Sequence, residues 1–268
     1  MRTSTRLVIA FDDVGDGEPA LVCLPGWCSN RTVFRPMLPR LARGHRTVAL
    51  DWRDHGGSER PAADYTTDDL VDDAIAVLDE SGVGRAVPVA LSHAGWAAIE
   101  MRRRLGPERV PGMVLLDWMV LGPPPPFVAA LAALQDPRRW ESTRAELFRM
   151  WSTGTDLPAL DAHIGEMAEY GFDTWARAGR EIAARFESAG SPVAALERID
   201  PPCPTLHVYA QPADDALLAA QVAYAGVHPW FAVHRLDAKS HFPMFEVPDD
   251  LSEVIEAFVA ALPAASAR

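Results

Sequence analysis

The chain has 268 residues, 49% of them hydrophobic, and a formal net charge of −12 at pH 7. That length supports one sizeable hydrophobic core, and α/β folds of this size commonly form a single unit. So acidic a chain repels phosphate backbones and anionic lipid headgroups, which excludes nucleic acid and membrane as expected partners and leaves a small molecule.

Three cysteines (Cys23, Cys28 and Cys203) form no CxxC pair, and their number is odd. A reducing, cytoplasmic setting is the expectation. The apolar run at residues 7–11 is too short for a signal-peptide core and meets Asp12 and Asp13. No apolar stretch approaches the roughly 20 residues that a helix needs to cross a bilayer.

In chain order, residues 7–11 read as a first strand, and residues 20–24 as a buried strand ending at Pro25-Gly26. Residues 47–50 repeat the pattern. Helical spacing of Leu70, Ala74, Val77 and Leu78 predicts a helix over 67–81, with Thr66 or Thr67 as N-cap. A strand over 86–91, a helix over 96–105 and a strand over 113–116 follow. Pro123–126 breaks this alternation, and residues 137–189 are helical and tryptophan-rich. Strands return at 205–209 and 231–236, and a last helix covers 251–262. The tail after Pro263 is expected to fray. This order predicts an α/β fold: a mostly parallel sheet with helices on both faces, built from residues 1–122 and 196–268. A helical lid, residues 123–195, is expected over the carboxyl edge of the sheet, where open α/β sheets bind ligands.

The chemistry gathers at strand ends. Ala90-Leu91-Ser92-His93-Ala94 joins a strand to a helix as a nucleophile elbow, with alanine at both positions where glycine is usual. The structural alternative is an ordinary strand-to-helix turn that contains a serine. Leu24-Pro25-Gly26-Trp27-Cys28 follows another strand. A loop there supplies one oxyanion-hole amide and the residue after the serine supplies the second, here Trp27 and His93. His241 lies after the last strand, so the order serine, acid, histidine is that of the α/β-hydrolase fold. Two places offer the acid: Asp214 or Asp215 after the strand at 205–209, and Asp117 at the end of the strand at 113–116. Asp117 is preferred because strand ends fix side chains better than loops do. Of the other histidines, His45, His163 and His234 read as surface residues. His207 reads as a hydrogen-bonded core residue, and His228 precedes Pro-Trp in a loop. His55 shapes the Asp51-Trp52-Arg53-Asp54-His55-Gly56 loop. No HExxH, cysteine cluster, GxGxxG after a strand or Walker loop is present, so no metal or cofactor is expected.

Across nearly the whole chain these segments resemble the cofactor-independent 3-hydroxy-4(1H)-quinolone 2,4-dioxygenases. The resemblance rests on LPGWC (24–28), DWRDHG (51–56), SHAGW (92–96), GPERVPG (106–112), LDW (116–118) and DPRRWE (136–141), and in the lid on EMAEYGFDTWARAGREI (166–182). HPWF (228–231) and SHFPMFEVPD (240–249) complete it. It implies an α/β-hydrolase fold, no cofactor, O2 as co-substrate, and His241 assisted by Asp117 as the base that removes a ring hydroxyl proton. Ser92 would orient that hydroxyl, and the Trp27 and His93 amides would stabilise developing charge. Leu147, Trp151 and Ile182 would form apolar walls around a flat ring, core packing of the lid helices being the alternative for each. The chain departs from some members at Leu91 and Ser29, where they carry histidine, which bears on substrate fit. Either a 2-methyl or a longer 2-alkyl group is compatible with the sequence. Two rivals use the same residues: a serine hydrolase with Ser92 as nucleophile, and a non-catalytic binding protein on the same scaffold.

Overall fold

The structure, a computed structural model, describes residues 7–264; the first six residues and the tail beyond 264 lie outside it. Among the described residues seven strands form one sheet: β1 (Phe11–Val14), β2 (Ala20–Leu24), β3 (Thr47–Leu50), β4 (Ala86–Leu91), β5 (Met113–Leu116), β6 (Thr205–Tyr209) and β7 (Phe231–Arg235). Their spatial order is β1-β3-β2-β4-β5-β6-β7. Only β1 runs antiparallel to its neighbour, Phe11 facing Leu50, and every other pair is parallel. All residues of β2 to β6 are buried, which explains why these strands read as unbroken apolar runs. The first strand falls four residues later than its apolar run predicts. An edge strand is wet on one side, so Asp12 and Asp13 are tolerated in it while residues 7–10 stay irregular.

Helices α1 (Leu38–Leu41), α2 (Thr67–Glu80), α3 (Gly95–Arg109), α9 (Asp215–Val227), α10 (Pro243–Glu246) and α11 (Pro248–Ala260) flank the sheet. At the start of α2 the Asp69 carboxylate accepts the Thr66 backbone N–H at 2.8 Å. The last helix begins three residues earlier than expected, with proline at its first position. Five helices lie between β5 and β6: α4 (Pro125–Leu134), α5 (Trp140–Trp151), α6 (Pro158–Ala168), α7 (Phe172–Ala189) and α8 (Pro192–Leu196). The prolines at 125 and 126 open α4 rather than interrupt it, since a proline in a first turn loses no hydrogen bond. Buried Glu181 of α7 accepts the Thr67 backbone N–H at 2.8 Å. Arg177 and Arg185 reach Asp64 and Asp68 at 2.6 and 2.8 Å, tying the inserted helices to the core.

Among the described residues four non-glycine residues have left-handed backbone: Cys28, Asp54, Ser92 and Asp117, with φ of 57°, 64°, 54° and 45°. Each follows one of the adjacent parallel strands β2, β3, β4 and β5. Such conformations cost about 1–2 kcal/mol apiece. Local strain is thus gathered at the carboxyl edge of the sheet. The turn at Ser92 also forces a close approach, because a Cβ on Gly95 would lie 2.2 Å from the Trp118 ring. Gly95→Ala should therefore destabilise the fold by about 1–3 kcal/mol in urea unfolding. Gly165→Ala, in α6 with open space around it, should instead gain about 0.5–1 kcal/mol.

Candidate active site

The site assembles from the ends of β4, β5 and β6 and the loop after β7. Asp117 has its carboxylate fixed on both oxygens. Oδ2 accepts the Ala210 and Gln211 amides at 2.7 and 3.1 Å, and Oδ1 accepts from His241 Nδ1 at 2.8 Å. A carboxylate only accepts, so the His241 Nδ1 carries a proton and Nε2 is left free as a base. The His241 backbone N–H donates to the Trp151 carbonyl at 2.8 Å, and its imidazole stacks on the Trp151 ring with centroids 5.3 Å apart. The lid therefore helps to hold the histidine. Asp214 spends its carboxylate capping α9, and exposed Asp215 pairs with Arg235. Ser92 stands at the start of a short 3-10 helix (Ser92–Ala94). Among the described residues its hydroxyl makes no hydrogen bond, to His241 included.

His93 is buried, and its side chain belongs to the site as well as its amide. Its Nδ1 accepts from Trp118 Nε1 at 3.0 Å, which places the ring proton on Nε2. Burial, and then the nearby His241 charge, push its pKa down to about 3, so the ring is neutral. It stacks on Phe127 of α4 at 5.3 Å. The Trp118 backbone N–H in turn donates to His207 Nε2 at 3.3 Å, and His207 Nδ1 donates to Gln221 Oε1 at 2.5 Å. His207 is thus the hydrogen-bonded core residue expected, its pKa pushed down to about 4 by burial.

These groups open into a narrow apolar slot. Trp27, Ser92, His93 and His241 line it, and so do Leu147, Trp151 and Ile182 from the inserted helices. Sequence reasoning missed Trp175 and Phe127, which complete its walls. Trp175 lies within the lid segment 166–182, but its inward direction depends on how α7 packs. Trp27 stacks on Tyr65 with centroids 6.0 Å apart and planes within 3°. The slot is mostly apolar with a few convergent polar groups, the make-up usual for small-molecule sites. A wider cavity next to it shares Ser92, His93, Phe127, Trp151 and His241. Among the described residues no cluster of three or more histidine, cysteine or acidic side chains could hold a metal ion.

His163 is not a surface residue. It is 3% exposed, and its Nε2 lies 3.0 Å from Ser29 Oγ, bridging α6 to the loop beside the slot. Burial pushes its pKa down to about 4. Ser29 thus meets a histidine reached from the lid, a pairing that spans 134 positions and leaves no local signal.

A parallel sheet carrying a serine elbow, an acid and a histidine in this order defines an α/β hydrolase-type protein. Residues 21–254 match the model of the Alpha/beta hydrolase family. The chain is 40% identical to the 2-heptyl-3-hydroxy-4-quinolone dioxygenase AqdC2 of Rhodococcus erythropolis, over 97% of each chain. It is 30% identical to the 1H-3-hydroxy-4-oxoquinoline 2,4-dioxygenase of Pseudomonas putida, over 95% of this chain and 97% of that one. A solved structure of the ring-cleaving AqdC with its product superposes with a TM-score of 0.91 at 37% identity, over 97% of this chain and 99% of that chain. A thermophilic esterase from Thermogutta terrifontis, at 22% identity and a TM-score of 0.76, shares the fold alone. The chain belongs to the alpha/beta hydrolase family and, within it, to the 3-hydroxy-4-quinolone dioxygenases.

The buried histidines give the fold an acid limit. His93, His163 and His207 bind protons less readily when folded than a free histidine does. As pH falls below about 6.5 the unfolded chain takes up protons that the fold excludes, so stability is present above that pH and is lost on acidification. Urea midpoints should decline between pH 7 and 5, and His163→Gln should flatten the decline.

Proposed function

We propose that this protein is a cofactor-independent dioxygenase that opens the heterocycle of a 2-alkyl-3-hydroxy-4(1H)-quinolone, releasing carbon monoxide and an N-acylanthranilate. The observation that carries the reading is the Asp117–His241 pair, with Nε2 of the histidine free beside an apolar slot walled by Trp151 and Trp175. Identity to named quinolone dioxygenases along almost the whole chain supports the substrate class.

With the ring in the slot, His241 Nε2 takes the 3-hydroxyl proton, and Asp117 stabilises the imidazolium that results. Ser92 donates a hydrogen bond to the substrate oxygen and forms no covalent bond. His93, with its proton on Nε2, is a neutral donor for the 4-carbonyl. The deprotonated ring is itself the electron donor. It adds O2 at C2, and the peroxide oxygen closes on C4, leaving an oxyanion there. The Trp27 amide, which has no acceptor among the described residues, and the His93 amide then stabilise that charge. Breaking the O–O, C2–C3 and C3–C4 bonds expels C3 as carbon monoxide. One oxygen atom stays on C2 as the amide carbonyl and the other on C4 in the carboxylate. All atoms of substrate and O2 are then accounted for, and no external reductant is needed. The apolar walls suit both the flat ring and an apolar gas.

Three free, buried cysteines support a reducing cytoplasm as the protein's location. No described helix is long and apolar enough to cross a membrane.

The test is direct. Purified, chelator-treated protein mixed with a 2-alkyl-3-hydroxy-4(1H)-quinolone in air should release carbon monoxide and N-acylanthranilate in equal amounts. His241→Ala should lower kcat by roughly 10²- to 10⁴-fold. Ser92→Ala should keep appreciable turnover, whereas a serine hydrolase would lose nearly all of it with its nucleophile. Absence of the gas, or loss of activity on chelation, would overturn the assignment.

A further inference from the structure

The Gly26-Trp27 segment of the slot wall is held from both sides by the loop after β3. On one side the Trp52 indole Nε1–H donates to the Pro25 carbonyl at 2.6 Å. On the other, the Cys28 backbone N–H donates to His55 Nε2 at 3.1 Å. All three side chains are out of water: Trp52 and His55 are each 1% exposed, and Cys28 is fully buried. Because a backbone N–H can only donate, His55 Nε2 must be unprotonated, and its Nδ1–H then donates to the Arg53 carbonyl at 2.9 Å. Both ring nitrogens are committed, and the tautomer is fixed by the backbone. Cys28 is one of the left-handed residues at the sheet edge, with φ of 57°. The hydrogen bond to His55 therefore fastens the strained end of the turn. Within that turn the Trp27 amide donates to nothing among the described residues, and Gly26 and Trp27 both line the slot.

His55 is also in touch with the lid. Its ring centroid lies 4.9 Å from that of Tyr170, and the Tyr170 hydroxyl accepts the Gly56 backbone N–H at 2.9 Å. Its ring meets Trp27 edge-on at 6.1 Å. One imidazole thus stands between a lid residue and the loop that carries the Trp27 amide.

We propose that His55 is a positioning residue for catalysis: as a neutral imidazole it accepts the Cys28 amide and so holds the turn that presents the free Trp27 amide to charge developing on the substrate. Trp52 performs the same service at Pro25. His55 touches no reacting atom and acts only through the loop. This inference rests on the quinolone-cleaving reading.

A donor aimed at a developing oxyanion lowers the barrier without strengthening ground-state binding, so its misplacement reads out in kcat. His55→Phe keeps the ring's bulk and removes the acceptor. It should lower kcat by roughly 10- to 100-fold, short of the loss from deleting a donor outright, with KM nearly unchanged. His55→Gln, whose Oε1 can take the place of Nε2, should restore most of kcat. Recovery by glutamine, at a melting temperature no higher than that of the phenylalanine variant, separates positioning from general support of the fold. If His55→Phe does not fold, Trp52→Phe decides: a fall in kcat at constant KM supports the proposal, and an unchanged kcat overturns it. Wild-type kcat in His55→Phe, equal losses in the phenylalanine and glutamine variants, or a loss confined to KM would each overturn it too. Failure of the wild-type protein to release carbon monoxide would fault the underlying reading, whereas wild-type turnover with an indifferent His55→Phe would fault this inference alone.

Discussion

The site depends on one charge-assisted hydrogen bond, from His241 Nδ1 to Asp117 Oδ1. For that bond to form, a carboxylate at the end of β5 must be dry yet fully satisfied, and a histidine from a loop 124 positions later must arrive with its ring correctly turned. The first condition is met by two amides at the end of β6, which occupy the other carboxylate oxygen. The second is met by the lid, where Trp151 supplies both a carbonyl for the His241 amide and a face for its ring. The left-handed backbone at Asp117 is the local cost of aiming the carboxylate this way. Sheet, insertion and final loop thus converge on a single imidazole nitrogen.

Around that nitrogen the protein places neutral donors and apolar walls. His93 is neutral and buried, so it offers a ring N–H beside His241 without a second positive charge. The same residues that would serve a hydrolytic serine can serve a ring anion, because both chemistries build negative charge at the carboxyl edge of the sheet. What separates them is whether the serine attacks the substrate or only orients it. Fold alone could not have made that distinction.

The central strands were legible because each is a short, fully buried run ended by a turn: Ala20–Leu24, Thr47–Leu50, Ala86–Leu91, Met113–Leu116 and Thr205–Tyr209 all lie where the apolar pattern puts them. The edge was not legible. Phe11–Val14 pairs through its backbone while carrying two aspartates, and the more apolar residues before it form no strand. In the site, Ser92, Asp117 and His241 could be chosen by chain order, since that order follows from the winding of the sheet. The imidazole contacts of His93, His163 and His207 could not. Each is set by a partner distant in sequence (Trp118, Ser29 and the backbone of Trp118 respectively), and the flanking acids of His163 suggest a solvated helix face. The motif around His55 was visible as a shaped loop, but its two ties to Pro25 and Cys28 emerge only when β2 and β3 lie side by side.

Trp118 has a consequence for how the protein can change. Its backbone anchors to His207, its indole N–H fixes the ring of His93, and its six-membered ring fills the space that only glycine leaves at position 95. One side chain, next in the chain to the acid, is wedged against the turn that bears the serine. The two turns therefore form one mechanical unit. Replacements made in one are felt in the other, and their effects do not simply sum. Adaptation toward a new substrate on this scaffold is then constrained to paired substitutions at these two turns.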